Sequence, residues 1–197
     1  MDSKFIVPSM FTGLERKNIP PADVIFMINA MAMSRFSRDP STQVGAVIVD
    51  KDGNFVSAGF NSAPPGWKDS EFVWGKGYAD IAKKYEKYNS VLHAEENAIS
   101  NYKGSNTIFE GATIYVTLFP CPICAKMITK YKFKRVVYLS DKYSHTSENF
   151  EAKRIFEYCG ISYERLDQHD IENVIFFLDD DGSVKYKSKE GKSRKRK

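Results

Sequence analysis

ATIYVTLFPCPICAKMITKYKFKRVVYL, residues 112–139, is the stretch on which the fold turns. Ala112–Leu118 is dense in β-branched and apolar residues and predicts a strand, as does Arg135–Leu139. Between them Cys121–Tyr131 predicts a helix, with Pro122 at its first helical position, where a missing amide costs nothing. A strand, a helix and a strand in that order imply parallel pairing through a right-handed crossover, the unit of a layered α/β domain.

Working outward, a helix is predicted before this unit at about Leu92–Asn101, and after it a helix over Ser147–Tyr158 and a strand over Ile161–Leu166. Upstream, Ala22–Phe36 follows Pro20-Pro21 and repeats Val24, Ile28 and Met31 at helical spacing, a helix expected to cover one face of the sheet. Gln43–Val49 and Phe55–Asn61 flank Asp52-Gly53 and read as a hairpin. The expected architecture is a three-layer α/β/α domain around a central mixed sheet of about five strands. Residues 62–90 break the rhythm with Pro64-Pro65-Gly66, Trp67 and Trp74, and read as an inserted flap with a helix-capable stretch at Tyr78–Tyr88. Asn173–Leu178 suits either a strand or a helical turn. One domain over residues 1–178 is expected, followed by a basic, disordered tail at 179–197.

Composition narrows the function. With 42% apolar residues, 14 Phe and 11 Tyr in 197 residues, the chain has the material for one ordinary core. The net charge of +4 belongs to the end of the chain: the last thirteen residues hold eight Lys or Arg and one Glu, leaving 21 basic against 24 acidic residues elsewhere. The body therefore has no basic excess that would mark a nucleic-acid surface, and a nucleic-acid partner is not expected. No apolar run reaches the roughly 18 residues that span a bilayer, and the N-terminus lacks the apolar stretch of a signal peptide. A cytoplasmic protein is expected, with Lys192–Lys197 as a candidate nuclear signal. Three cysteines, two of them in Cys121-Pro122-Ile123-Cys124, argue for thiolate chemistry rather than disulfides. Cys159, at a helix end before Gly160, is expected to be a small buried or half-buried residue.

Two short motifs open consecutive helices: His93-Ala94-Glu95, and Pro120-Cys121-Pro122-Ile123-Cys124. Together they offer one imidazole and two thiolates, three ligands for a tetrahedral metal with the fourth position left to water, which is the pattern of catalytic rather than structural zinc. Cys121 lies where the free amides and the dipole of its helix favour a thiolate. Residues two apart do not share a helix face, so His93 and Glu95 serve one site only if they occupy an irregular first turn. Zinc lowers the pKa of water towards about 7, and Glu95, not itself a ligand, is placed to take that proton and return it to the ring and the departing amine. His-x-Glu with Pro-Cys-x-x-Cys is the signature of zinc nucleobase deaminases.

At these residues the chain resembles the cytidine deaminase-like superfamily, and within it the deoxycytidylate deaminases, from about Ala30 to Leu166. The resemblance is carried by Ser37–Ala46, the HAEENAI run of His93–Ile99, YVTLFPCPIC of Tyr115–Cys124, and Ser140-Asp141-Lys142-Tyr143. Similar tRNA adenosine deaminases usually carry Glu where Phe119 stands, which tilts the choice towards free nucleotides. The resemblance implies deamination of dCMP, with dCTP, or a base in single-stranded nucleic acid, as alternatives. It implies one zinc per subunit held by His93, Cys121 and Cys124, Glu95 as proton shuttle, and Asn61 and Tyr143 at the nucleotide. The motif around Asn61 departs from the family's Gly-Tyr-Asn-Gly, reading Gly59-Phe60-Asn61-Ser62, and Ser144-His145 follows Tyr143 where His-Asp is common. A second zinc held by the insert is not expected, because residues 62–90 contain neither Cys nor His. Hexamers regulated by dCTP and dTTP are common among such proteins, so a homo-oligomer with those effectors is the expectation. Arg38, Lys126 and Lys142 lie beside the matched motifs, and Arg38 and Lys142 are the preferred candidates for the phosphate. Trp67 and Trp74 suit either stacking on a base or packing the flap against a neighbouring subunit.

Overall fold

The computed structural model describes residues 19–68, 70–72, 74, 90–172, 174–178 and 184–188. In chain order these form α1 (Ala22–Ser34), β1 (Gly45–Val49), β2 (Phe55–Phe60), α2 (Ala94–Asn101), β3 (Thr113–Leu118), α3 (Pro122–Lys130), β4 (Arg135–Ser140), α4 (Ser147–Tyr158), β5 (Ser162–Arg165), α5 (Gln168–Glu172), β6 (Val174–Leu178) and β7 (Val184–Ser188). The main sheet has five strands in the order β2-β1-β3-β4-β5. β1 runs antiparallel to both neighbours, whereas β3-β4 and β4-β5 are parallel. The expected mixed five-stranded sheet is what the chain builds.

All five residues of β1 are buried because helices cover both faces of the sheet. Successive side chains of a strand point to opposite faces, and the core divides accordingly. Ala46, Ile48, Ile114, Val116, Val136 and Tyr138 join the larger cluster, with Ala94 and Ala98 of α2, Ala125 and Ile128 of α3, and Ala152 and Phe156 of α4. Val47, Val49, Tyr115 and Val137 join the smaller one with Met27 and Ala30 of α1. This is the three-layer arrangement, and α1 covers one face as its spacing predicts.

Two glycines set how closely the layers approach. A Cβ at Gly45 would overlap the backbone of Ala30 and Ser34 in α1, and one at Gly59 would overlap Ala94 and Ala98 in α2. Only glycine lets the helix backbones rest directly on the hairpin strands.

Two boundaries differ from the sequence reading for visible reasons. α2 starts at Ala94 rather than Leu92 because Leu92 pairs with Ser62 in an isolated bridge, leaving His93 as the N-cap. Residues 184–188, assigned by their charge to the disordered tail, are instead a strand, antiparallel to 174–178, with Val174 opposite Ser188 and Leu178 opposite Val184. Reading Val184-Lys185-Tyr186-Lys187-Ser188 for charge hid its period-two alternation. The helix expected at Tyr78–Tyr88 and the basic run Lys192–Lys197 lie outside the described residues. Among the described residues no helix is long and apolar enough to cross a membrane.

Candidate active site

The site begins with how α2 is fastened to edge strand β2. Ser62 and Leu92 exchange backbone hydrogen bonds of 3.0 and 2.9 Å, which join the end of β2 to the start of the helix. Asn97 Nδ2 donates to Phe60 O at 2.7 Å and to Ser62 Oγ at 3.0 Å, and Asn101 Nδ2 donates to Ala58 O at 2.9 Å. Ser57 Oγ, on the same strand, donates to Ala98 O at 2.6 Å. Four residues apart, the two asparagines face one side of the helix and satisfy carbonyls that an edge strand would otherwise leave open.

The outcome is a fixed first turn. His93 is the N-cap with extended backbone, φ −77° and ψ 157°, so its side chain departs in a direction no interior helical residue could take. Its amide is capped in return by Glu96 Oε2 at 3.4 Å. Glu95, the second residue of the helix, can therefore face the same space. The two-residue spacing works because the first of the pair lies outside the helix, as the sequence argument required.

Cys121 repeats the device at α3. It is an N-cap with extended backbone, Pro122 follows it, and Ala125 N donates to Cys121 O at 2.8 Å. Cys124, one turn in, is buried. His93 Nδ1 lies 3.2 Å from Cys124 Sγ and 3.4 Å from Cys121 Sγ, and the three donor atoms all fall within 4.8 Å of one another. Tetrahedral zinc, with bonds of about 2.0–2.1 Å to nitrogen and about 2.3 Å to sulfur, wants such donors roughly 3.5 Å apart. One nitrogen and two soft sulfurs at that spacing fit zinc. The hydrogen bond with Cys124, opposed by burial and seconded by His93, holds Cys121 down at about 4, in its thiolate form.

Glu95 is 4% exposed. Burial is the main influence on it and lifts its pKa from 4.5 to about 7, the range in which one carboxylate both accepts and releases a proton near neutrality. His93, Glu95 and Cys121 line a cavity of ≈ 470 Å³ together with Asn61, Tyr143 and Phe119, within the ordinary size range of small-molecule sites.

The other candidates divide. Asn61 lines this cavity but spends its amide on the loop beside it: Oδ1 accepts from Val44 N at 2.8 Å, and Nδ2 donates to Thr42 O at 3.0 Å and Asp39 Oδ2 at 3.4 Å. Tyr143 lines the cavity and is 43% exposed. Lys142 is exposed at the rim, where Nζ donates to Thr42 Oγ1 at 3.1 Å and stands 4.9 Å over the Tyr143 ring. Arg38 is exposed next to the lining residue Asp39, and Lys126 is exposed on α3.

Cys159 is exposed rather than buried. It caps the end of α4, next to Tyr158 at 84% exposure, so position outweighs the preference of its residue type. Trp67 and Trp74 pack on Phe72, with ring centroids 5.1 and 4.6 Å apart, a cluster within the insert itself. Sequence reasoning missed Asp39, Asp141 and Asn149. Asp39 is buried and its Oδ1 accepts from Ser41 N and Thr42 N at 2.8 and 3.1 Å, shaping the loop against which Asn61 rests. The Asp39-Pro40-Ser41 turn chemistry was the available signal.

A family model for the cytidine and deoxycytidylate deaminase zinc-binding region matches residues 22–140, from α1 to the end of β4. A probable deoxycytidylate deaminase of Drosophila melanogaster is 38% identical over 154 residues, covering 77% of this chain and 75% of that protein. The deoxycytidylate deaminase of Homo sapiens is 37% identical over 141 residues, 72% of this chain and 77% of that protein. Among solved structures, the dCMP deaminase of cyanophage S-TIM5 in complex with dCMP and dUMP superposes with a TM-score of 0.59 at 25% identity, covering 76% of this chain and 100% of that one.

Proposed function

This chain belongs to the cytidine and deoxycytidylate deaminase family, and from that premise we propose that it hydrolyses the 4-amino group of deoxycytidylate to give dUMP and ammonia. The observation that carries the proposal is the meeting of three metal donors, two of which, His93 and Cys121, line a single cavity together with one buried carboxylate, Glu95. The nucleotide names of the relatives, and the dCMP and dUMP held by the phage enzyme, supply the substrate.

His93, Cys121 and Cys124 hold the metal. Bound there, zinc supplies the Lewis acidity that makes water a nucleophile near neutral pH. Glu95 carries the two protons of the attacking water in turn, the first to ring N3 and the second, taken from the hydroxyl newly bonded to C4, to the departing amine; its burial makes both transfers accessible to one group. Asn61 holds residues 39–44 as one wall of the cavity. Tyr143 offers a ring face at the mouth, and Lys142 and Arg38 provide positive charge on the same rim for the 5′-phosphate.

Ammonia release from dCMP, dCTP, deoxycytidine, CMP and a cytosine-containing oligonucleotide tests the reading, with zinc measured per chain. The expected result is one zinc and fastest turnover of dCMP. Absence of zinc, or preference for the oligonucleotide, would overturn it. The homo-oligomer and the response to dCTP and dTTP belong to the same proposal and are read by light scattering and by adding each nucleotide to the assay.

A further inference from the structure

The loop between β4 and α4, residues 141–146, is tied down at its start by a carboxylate that takes no part in the chemistry of Glu95 and the metal donors. Asp141 Oδ1 accepts from Asn149 Nδ2 at 2.6 Å and Oδ2 accepts from Lys153 Nζ at 2.8 Å, both partners standing on α4. The ion pair is sheltered, with the Asp141 and Lys153 side chains 13% and 26% exposed, so solvent screens it less than a surface pair. Asp141 is not among the residues that line the cavity, yet it stands between several that do. Tyr143 and Thr146 follow it in the loop, Asn149 binds it, and the Lys153 ammonium that pairs with it lies 5.2 Å from the centre of the Phe119 ring. The rest of the loop folds on itself: Ser144 N donates to Asp141 O at 3.0 Å, and Thr146 donates from N and from Oγ1 to Tyr143 O, each at 2.9 Å. In a loop braced in this way, the carboxylate fixes the backbone from which Lys142 and Tyr143 project.

We propose that Asp141 is a positioning residue for the 5′-phosphate: by pinning the loop to α4 it sets where the Lys142 ammonium stands. This rests on the reading of the site as a deoxycytidylate deaminase. Lys142 is exposed, and among the described residues its Nζ is held by a hydrogen bond to Thr42 Oγ1 at 3.1 Å and by the Tyr143 ring, 4.9 Å from its centre. A long, flexible side chain with so little at its tip takes its place from the backbone that carries it. Thr42 belongs to the wall at residues 39–44 and Tyr143 to the loop itself, so the ammonium bridges two sides of the cavity mouth only while the loop keeps its position. Release of Asp141 therefore acts at the phosphate end of the substrate. The donors and the carboxylate at the starts of α2 and α3 stay where they are.

The test measures kcat and KM for dCMP in zinc-loaded wild type, Asp141→Asn and Lys153→Met, each also in a Lys142→Ala background. Asn keeps the size of Asp141, but one of its two ends is an amide nitrogen that cannot accept, so either Asn149 or Lys153 loses its partner. Lys153→Met reaches the same carboxylate from a side chain outside the cavity lining. Both variants should raise KM roughly tenfold, the worth of one ionic hydrogen bond between Lys142 and the phosphate, with kcat little changed and zinc content the same as in wild type. KM does not depend on how much of a preparation is folded, so partial loss of the fold does not imitate this result. In the Lys142→Ala background the same substitutions should leave KM nearly unchanged, because the residue through which Asp141 acts is gone. A lower kcat at unchanged KM, or an equal rise in KM with and without Lys142, would overturn the inference and leave Asp141 a support of the fold alone. Wild type that does not turn over dCMP would instead sink the functional reading, and this inference with it.

Discussion

Glu95 and Asp23 occupy the same position in their helices, the second residue of α2 and of α1, and lie on opposite sides of the central sheet. Both stand where the free amides of a first turn favour negative charge. Yet they are driven in opposite directions. Asp23 meets Arg135 in a paired contact, Nη1 to Oδ1 at 2.9 Å and Nη2 to Oδ2 at 2.6 Å, and accepts from the Tyr115 hydroxyl at 2.6 Å; Arg135 chiefly, and Tyr115 after it, hold its carboxyl below the ordinary value of 3.8. Glu95 is buried, His93 is the chief charge that opposes the effect, and burial lifts it to about 7. Position in a helix does not decide whether a carboxylate is structural or reactive. The groups that the tertiary fold brings to it do.

The sharpest way to break that contrast is to neutralise each carboxylate in turn. Glu95→Gln should lower kcat/KM for dCMP by about 10³-fold or more, since general acid–base transfer contributes on the order of 10²–10⁴, while zinc content stays at one per chain. Folding works against ionisation of a carboxylate whose pKa is raised on burial, so above its ordinary value the Gln form should melt no lower than wild type. Asp23→Asn should do the reverse, leaving kcat/KM within about threefold and lowering the melting temperature. Kinetics, metal analysis and calorimetry on the two proteins decide it; equal activity losses in both would mean that the two carboxylates are not separated in role.

A second perturbation reaches Glu95 without touching it. Gly59→Ala would thrust a methyl group into the backbone of Ala94 and Ala98 and push α2 off β2. His93 and Glu95 ride on that helix end, and displacement of a catalytic group by about 1 Å can cost on the order of 10²-fold. A loss of that size is expected in kcat, with weaker zinc retention during dialysis against a chelator. Gly45→Ala overlaps α1 in the same way but lies on the Asp23 side, and it should cost stability before it costs turnover in the surviving folded protein.

These two glycines show where reading the sequence ends. β1, β3 and β4 were legible because runs covered on both faces are apolar throughout, and the metal donors were legible because His-x-Glu and Pro-Cys-x-x-Cys announce themselves as helix openings. Gly59 looks like any glycine near a strand end until the helix resting on it is seen. Asn97 and Asn101 look like ordinary helix-surface asparagines until β2 supplies the carbonyls of Phe60 and Ala58. Asn149 reads as part of a capped first turn; only the fold brings Asp141 to its nitrogen. In each case the missing information is a partner distant in sequence.

The smallest expected effects belong to the Asp23 side. Arg135→Met should cost about 1–2 kcal/mol in urea unfolding, limited because Arg135 and Asp23 are 29% and 32% exposed and solvent screens the pair, with part offset by the apolar replacement. The pH dependence follows from the sign of the Asp23 shift. Its folded pKa lies below its unfolded one, so between the two values the unfolded chain holds the extra proton and stability rises with pH. The contribution is therefore complete above the ordinary value of 3.8 and is lost as the pH falls through the lower, folded value. Asp23→Asn cannot take up that proton, so urea midpoints measured from about pH 5 to about pH 2 should fall less steeply than in wild type. Parallel curves would show that Arg135 draws no more from Asp23 in the folded protein than water does in the unfolded chain, and the contrast with Glu95 would then rest on burial alone.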